Sequence, residues 1–237
     1  MRAASLARSG GSRAAPYPGA VPDRDDDVVL FDLDGVLVDS RAAISGCINH
    51  ALAANGLPER DPAALYRYIG PPLLAAFADL VGEPATSPAV LGCVASYRER
   101  YAEASLTETA VTPGIADALA ALASAGRRLG VATSKPRPFA EPLLDVLGLR
   151  RFFAVVAGPE LDAPGEDKTA TVGAALRALG AARGAMVGDR SFDMVAARAH
   201  DLRAVGVGWG IGSRAELLAA GAERIVATPG ELPAAVS

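Results

Sequence analysis

The chain has 237 residues, of which 51% are hydrophobic, and a formal net charge of −4 at pH 7. This length allows one large domain or a domain with an insertion, and the apolar content is ample for a core. The overall negative charge offers no basic surface for a nucleic acid polymer or anionic lipid, so any cation that binds phosphate must be local. Two cysteines, Cys47 and Cys93, are too few for a disulfide framework and lack metal-ligand spacing. We expect two buried thiols, with a single disulfide as the alternative.

Residues 1–27 differ in composition from the rest of the chain. They are rich in Arg, Ser, Gly and Pro, contain no acid before Asp23, and show no apolar periodicity. Such a segment cannot bury enough surface to fold alone, so we expect a disordered tail or an over-long translation start. A targeting segment is the alternative, although Gly-Gly and Pro-Tyr-Pro interrupt an amphipathic helix. No stretch is hydrophobic for long enough to cross a membrane, and the cytoplasm is the expected location.

The first predicted strand spans residues 28–33, an apolar run rich in branched side chains. It is interrupted by Asp32 and Asp34 and followed by Gly35. Two like charges at the end of a buried strand repel each other and are costly to desolvate, so they require a compensating cation. Mg²⁺ prefers carboxylate and carbonyl oxygens and would meet this requirement. A D-x-D-G turn without a metal is the alternative, because Asp and Gly are common turn residues.

The chain then has helical patterns for about 70 residues. The first predicted helix spans 41–55, with Asp39 or Ser40 as its N-cap. The patterns that follow predict helices at 63–68, 73–81 and 90–104. Residues 41–107 are therefore predicted to form an all-helical cap domain, inserted into a core domain made of residues 28–40 and 108–237.

Strands and helices alternate after the predicted cap. Strands are predicted at 128–132, 153–157, 185–187, 204–207 and 224–227. Helices are predicted at 114–125, 139–147, 169–179 and 194–199. This alternation predicts an α/β fold with a doubly wound parallel sheet, in which sites form beyond the carboxyl ends of the strands.

Polar side chains follow several of these strands. The strand at 128–132 is followed by Thr133 and Ser134, and the strand at 185–187 by Asp189 and Asp193; Lys168 begins the helix before the latter strand. Hydroxyl groups next to a helix start favour an anion site, although a helix cap would give the same pattern. The acids are equally compatible with helix capping, and a lone lysine is usually a solvated surface charge. Together, the strand ends predict one crevice that holds acids, hydroxyls and a cation.

These motifs, in this order, resemble the haloacid dehalogenase superfamily. The four motifs are D-L-D-G-V-L-V-D-S at 32–40, V-A-T-S-K at 131–135, Lys168, and G-D-R-S-F-D at 188–193. The similarity covers about residue 28 to the C-terminus and is to the phosphatase branch with a helical cap after the first motif. Within that branch, I-G-P-P-L at 69–73 and G-S-R-A-E-L at 212–217 resemble phosphoglycolate phosphatase-like and 5'-nucleotidase-like proteins.

The resemblance implies a role for each motif residue. Asp32 would be the nucleophile that forms an aspartyl-phosphate, and Asp34 the general acid and then the base. Phosphoryl oxygens would be bound by Thr133, Ser134 and Lys168. Mg²⁺ would be held by Asp32, the backbone carbonyl of Asp34, and Asp189, with Asp193 as a ligand or as a partner of one.

The second carboxylate decides the reaction class within the superfamily. As the resemblance implies, an acid at Asp34 favours C–O–P over C–halogen chemistry. The expected activity is Mg²⁺-dependent hydrolysis of a small-molecule phosphate ester such as 2-phosphoglycolate, a nucleoside monophosphate or a sugar phosphate. A sugar phosphomutase with the same two aspartates is one alternative, and a non-catalytic binding or regulatory protein is another. We expect a monomer or a homodimer.

The cap is predicted to select the substrate, because its closure excludes water and adds contacts beyond the phosphate. The candidate contact residues are Arg41, His50, Arg67, Tyr68, the Gly70-Pro71-Pro72 bend, Tyr97 and Arg98. Packing or surface exposure is the commoner role for each of these residue types, above all for a lone helical histidine.

Overall fold

The computed structural model describes residues 28–161 and 167–237. The predictions made for residues 1–27 lie outside the described residues. Within the described part of the chain, none of the helices combines the length and apolar character needed to cross a membrane.

A parallel sheet of six strands lies at the centre of the molecule. Its strands are Val28–Phe31 (β1), Arg128–Ala132 (β4), Phe153–Ala157 (β5), Ala185–Gly188 (β6), Arg203–Val207 (β7) and Arg224–Val226 (β8). The strand order is β5-β4-β1-β6-β7-β8, and β1 pairs in parallel with both β4 and β6. All four side chains of β1 are at most 1% exposed, as expected for a central strand that is covered on both faces.

Helices cover both faces of the sheet. They are Ile115–Ser124 (α5), Arg137–Val146 (α6), Lys168–Leu179 (α7), Ser191–Ala199 (α8), Arg214–Ala219 (α9) and Leu232–Ala235 (α10). Val29 and Phe31 pack in one apolar cluster with α5, α6 and α10, whereas Val28 and Leu30 pack in a second with α7, α8 and α9. This alternation along β1 is the consequence of its two-residue side-chain period. The prediction of a doubly wound parallel sheet is confirmed.

Two helices were not predicted from the sequence. The helix α9 begins after Ser213, whose hydroxyl accepts a hydrogen bond from the Glu216 N–H at 3.1 Å. Both α9 and α10 are short, and a short segment carries too little apolar periodicity to be recognised.

The inserted segment is helical, as predicted. Its helices are Arg41–Ala54 (α1), Pro62–Leu65 (α2), Leu73–Val81 (α3) and Pro88–Thr107 (α4), with a 3-10 turn at Tyr66–Tyr68. These helices share a third apolar cluster of their own, which contains Ile48 and Phe77 as well as both cysteines as free, buried thiols. The helical group is joined to the sheet through an antiparallel pair, Val38–Asp39 (β2) with Ala110–Val111 (β3). The domain boundaries at 40/41 and 107/108 stay a prediction.

Local hydrogen bonds choose between the two predicted caps of α1. The Asp39 carboxylate accepts the Arg41 backbone N–H at 3.1 Å, whereas the Ser40 side chain makes no capping hydrogen bond. The same carboxylate also binds the Arg41 guanidinium, at 2.8 and 2.6 Å. Asp39 therefore fixes the start of α1 directly after β2.

We predict that the packing of α5 on the sheet is a major source of stability. Leu119 is fully buried, so Leu119→Ala should lower the free energy of unfolding by about 2–5 kcal/mol through lost burial and the cavity that remains. The matched control is Leu218→Ala in α9, where the side chain is 52% exposed and the expected change is about 0.5 kcal/mol or less. Urea unfolding of the two variants measures both values. Equal losses in the two variants would contradict this account of the core.

Candidate active site

The carboxyl ends of three neighbouring strands bring the predicted motif residues together. Asp32 follows β1, Thr133 follows β4, and Asp189 follows β6; these strands are adjacent in the sheet. The Asp32 backbone N–H still donates to the Val187 carbonyl at 2.9 Å, so the ladder extends to the first carboxylate. The backbone of Asp32 is thereby fixed to the central strands of the sheet.

Lys168 forms the charged centre of the site. Its Nζ lies 2.6 Å from Asp32 Oδ1 and 2.9 Å from Asp193 Oδ1. All three side chains are 10% exposed or less, so both ion pairs are shielded from solvent. Burial by itself would lower the pKa of Lys168, but the neighbouring Asp193 and Asp32 carboxylates outweigh it and raise that pKa. The alternative that Lys168 is a solvated surface charge is excluded by this burial.

Three buried acids lie around this single cation. Asp32, Asp189 and Asp193 each present a carboxylate oxygen, and these oxygens lie within 4.8 Å of one another. Burial raises the pKa of Asp32 from 3.8 to about 6, with Lys168 acting in the opposite direction. Burial, reinforced by Asp193 and Asp32, also raises the pKa of Asp189 well above its ordinary range. The group therefore has more negative charge than Lys168 can neutralise.

The donor set fits a hard divalent cation. Asp189 is fully buried, and its Oδ1 has no hydrogen-bond partner among the described residues. A buried carboxylate oxygen without a partner is costly, and a metal ion is a common reason for such an arrangement. Carboxylate oxygens are the ligands that Mg²⁺ prefers.

The backbone around Asp189 is closely fitted to its carboxylate. The other Asp189 oxygen, Oδ2, accepts the Ile211 N–H at 2.7 Å. A Cβ added at Gly35, where φ is +85°, would lie 2.3 Å from Oδ2, and one added at Gly210 would lie 2.2 Å from the Asp189 Cβ. Glycine is therefore required at both positions, by space at each and also by backbone conformation at Gly35.

Asp193 has a structural part in the same loop. Its Oδ2 accepts the backbone N–H groups of Asp189 and Arg190, each at 3.1 Å, at the start of α8. The predicted capping role of this acid and its position in the acidic group are therefore both present. Its two oxygens are divided between the helix start and Lys168.

The second motif aspartate has a different partner. Asp34 Oδ1 lies 2.7 Å from Lys135 Nζ, and these side chains are 12% and 3% exposed. Asp34 is not part of the three-acid group, and its partner Lys135 lies just after β4. Lys135 is the last residue of the V-A-T-S-K motif, but the sequence predicted no role for it. The signal was its spacing from Thr133, which places both residues at the same strand end.

Thr133 and Ser134 lie at the floor of the same crevice and line it with Lys135. The Thr133 hydroxyl is buried and accepts the Lys135 backbone N–H at 3.1 Å. Neither hydroxyl caps α6, because its N-cap position is occupied by Pro136. Of the two predicted explanations for these hydroxyls, the helix cap is therefore excluded.

A cleft of about 590 Å³ extends from these residues to the helical cap. Six of the predicted cap residues line it, namely Tyr68, Gly70, Pro71 and Pro72 of the bend, Tyr97 and Arg98. Arg41 is paired with Asp39 beside a smaller depression, and His50 and Arg67 are exposed outside the cleft lining. The predicted substrate contacts of these last three residues gain no support from their positions.

Arg190 joins the site to the cap. Its Nη1 donates to the Ile69 carbonyl at 2.7 Å, and its Nε lies 3.1 Å from Glu216 Oε1. Glu216 also accepts the Ser191 N–H at 2.9 Å. The predicted motifs around Ile69, Arg190 and Glu216 are thus connected in space, although the sequence did not indicate this contact.

Comparisons with known proteins agree with this geometry. A sequence model of the family described as "Haloacid dehalogenase-like hydrolase" matches residues 29–207. A 5'-nucleotidase from Pseudomonas aeruginosa is 38% identical over 81% of this chain and 86% of its own length. Tyrosine-protein kinase PtkA from Mycobacterium tuberculosis is 36% identical over 84% of this chain and 67% of its own length. The crystal structure of a predicted phosphatase from Clostridium acetobutylicum has a TM-score of 0.82 and 32% identity, over 87% of this chain and 96% of that one. The chain belongs to the haloacid dehalogenase-like hydrolases.

Proposed function

We propose that this phosphoric monoester hydrolase is Mg²⁺-dependent, acts on a small-molecule phosphate ester, and proceeds through an aspartyl-phosphate on Asp32. The observation that carries the proposal is that two carboxylates after β1 have separate lysine partners: Asp32 is paired with Lys168 and Asp34 with Lys135. This division supports different roles for Asp32 and Asp34. Location in the cytoplasm and a monomeric or homodimeric state stay predictions.

Asp32 is proposed as the nucleophile. With its pKa at about 6, it is mostly ionised at pH 7 and can attack phosphorus. Lys168 holds its Oδ1 and fixes the orientation of the carboxylate. Lys168, Thr133 and Ser134 are proposed to bind the phosphoryl oxygens. Phosphoryl transfer depends mainly on positioning and charge stabilisation, which such contacts would supply.

Asp34 is proposed as the general acid and base. Its carboxyl would donate a proton to the departing alcohol oxygen and would then take one from the water that hydrolyses the aspartyl-phosphate. Lys135 holds Asp34 Oδ1 and thereby orients the group that handles the proton. We propose Lys135 as a positioning residue for this step.

Mg²⁺ would be held by Asp32 and Asp189, with Asp193 beside them, and when bound it supplies positive charge that stabilises the phosphoryl group in the transition state. Asp32, Asp189 and Asp193 would each lose part of their mutual repulsion. The backbone carbonyl of Asp34 is a further proposed ligand.

The nucleophile assignment predicts that Asp32→Asn lowers phosphate release from a generic ester by at least about 1,000-fold, because an amide cannot form the covalent intermediate. EDTA should abolish wild-type activity, and added Mg²⁺ should restore it. Asp145→Asn, an exposed aspartate on α6, is the matched control and should retain activity. Full turnover by the Asp32 variant would refute the mechanism. Isomerisation of a sugar phosphate with little phosphate release would favour the phosphomutase instead.

The acidic group predicts an unusual stability effect. Without metal, Asp189→Asn should raise the melting temperature by about 3–6 °C at pH 7, because it removes one of three clustered acids whose burial and mutual repulsion destabilise the folded protein. The increase on addition of Mg²⁺ should be much smaller than in the wild type. Asp145→Asn should change neither the melting temperature nor its increase with Mg²⁺. If Asp189→Asn without metal melts at a lower temperature than the wild type, the proposed repulsion is contradicted.

The same variant has a predicted pH dependence. The pKa of Asp32 is about 6 in the folded protein and 3.8 ordinarily, so the folded protein binds more protons between these values. Stability of the metal-free protein therefore falls as pH rises through this window. The increase in melting temperature caused by Asp189→Asn should be larger at pH 7 than at pH 5, because protonation of Asp32 at pH 5 already relieves the repulsion. Thermal melts at the two pH values measure the difference.

Lys135→Met tests the role of the Asp34 ion pair. The kcat for an alkyl phosphate should fall by about 100-fold, because an alkoxide needs a well-placed acid to leave. The loss should be much smaller for p-nitrophenyl phosphate, since nitrophenolate leaves without a proton. Asp34→Asn should give the same selectivity, and the two changes should be non-additive. Equal losses on both esters would show that Lys135 acts elsewhere.

A further inference from the structure

The part of the cleft that lies away from the carboxylates is lined mainly by apolar side chains. They come from two cap helices and one core helix, and include Ile44, Ile48, Val94, Tyr97, Tyr101 and Phe139. The cleft volume of about 590 Å³ lies within the range of about 300–1,000 Å³ that is typical of sites for drug-sized ligands. A two-carbon alcohol would leave most of this space unfilled.

Three of these side chains form a continuous aromatic wall. Tyr97 and Tyr101 are stacked with ring centroids 5.1 Å apart, and Phe139 meets Tyr101 edge-on at 5.4 Å. The wall joins the cap to the core and ends at Lys135, whose Nζ lies 5.3 Å from the Tyr101 ring centroid. A ring bound to the ester oxygen would therefore meet aromatic surface as soon as it leaves the polar floor.

Tyr101 carries a polar group that nothing in the described structure satisfies. Its hydroxyl is buried and has no hydrogen-bond partner among the described residues. The residue as a whole is 3% exposed. A buried hydroxyl without a partner is costly. Because this oxygen is shielded from solvent, the part of Tyr101 that lines the cleft is its ring and not its hydroxyl.

The charges of the cleft do not favour an anionic alcohol. Among the described lining residues, the cations are Lys135, Lys168 and Arg98. Both lysines are ion-paired with motif aspartates, and Arg98 Nη2 donates to the Leu161 carbonyl at 2.7 Å. A second carboxylate or phosphate on the substrate would compete with these existing contacts.

Apolar surface also continues to the mouth of the cleft. Leu74 on α3 and Phe192 on α8 line it and are 42% and 44% exposed. Covering exposed apolar side chains of this size at the rim of a pocket would favour the binding of an apolar ligand. The rim and the interior therefore have the same chemical character.

We propose that the substrate is a phosphate monoester whose alcohol carries an uncharged, apolar ring, bound against the aromatic wall. This inference rests on the proposed phosphatase function and narrows its substrate class. The phosphate lies at Lys168 and Thr133, and the ring fills the cleft between α1, α4 and α6.

The test compares esters that share a primary alcohol as leaving group, so that intrinsic reactivity is matched. The panel is 2-phenylethyl phosphate, ethyl phosphate, 2-phosphoglycolate and glucose 6-phosphate, with kcat/KM from phosphate release. We expect 2-phenylethyl phosphate to exceed each of the others by about 10- to 100-fold, as burial of a ring would give. A preference for 2-phosphoglycolate or glucose 6-phosphate, or equal values throughout, overturns the ring proposal while leaving the phosphatase intact. Failure to hydrolyse any ester in Mg²⁺ would instead overturn the proposed function.

Two matched variants locate the selectivity. Leu74→Asp places a charge at the apolar rim and should lower the ratio of 2-phenylethyl to ethyl phosphate kcat/KM by at least about 5-fold. Leu91→Asp, an equally exposed leucine on α4 outside the cleft lining, should leave that ratio unchanged. Because both leucines are exposed, neither variant is expected to unfold the cap. An unchanged ratio in Leu74→Asp, or an equal fall in both variants, would refute the binding mode.

Discussion

The burial of three carboxylates against one ammonium group is the constraint around which the site is built. Asp32, Asp189 and Asp193 approach one another at the end of a central strand, where water cannot screen them, and Lys168 is paired with two of the three. Such a group is unstable by itself, because desolvation and repulsion act in the same direction. Backbone contacts hold these residues in place: the Asp32 N–H donates to the sheet, and Asp189 and Asp193 accept backbone N–H groups of the neighbouring loops.

The topology of the sheet explains how residues far apart in sequence reach this position. Since β1 lies between β4 and β6, the carboxyl ends of three parallel strands meet around Asp32. Each loop at that edge then adds one type of group: acids after β1 and β6, hydroxyls after β4. Lys168 lies at the start of α7, whose N-cap is Asp167.

Both lysines of the entire chain lie in this crevice, whereas all other basic side chains are arginine or histidine. A compact ammonium fits between buried carboxylates where a planar guanidinium would need more room.

The sequence predicted the sheet and the composition of its polar edge well, because both follow from short-range patterns. Branched apolar runs located the strands to within a residue or two, and acids at strand ends identified the crevice. Contacts that depend on three-dimensional approach were not predicted. The partner of Asp34 lies 101 residues away at Lys135, and Arg190 reaches Ile69 across 121 residues. No local periodicity encodes these distances. For His50 and Arg67, residue type suggested a substrate contact, but both are exposed outside the cleft lining, so the contact stays a prediction without support from their positions.

The chemistry and the selectivity of this site depend on different kinds of interaction. The polar floor is held by strand ends and by ion pairs with little exposure, and it meets the cap at Lys135, which lies against the Tyr101 ring, and at Arg190. The apolar walls come largely from α1 and α4, which have their own hydrophobic cluster and are joined to the sheet by two-residue strands and by Arg190. Substitutions at wall positions without a contact to Lys135, such as Leu74 at the rim, can therefore alter the alcohol that is bound and leave the carboxylates unchanged. This separation explains why family motifs identify the reaction, which needs charges at fixed positions, but not the substrate, which depends on the volume and polarity of a surface that the motifs do not include.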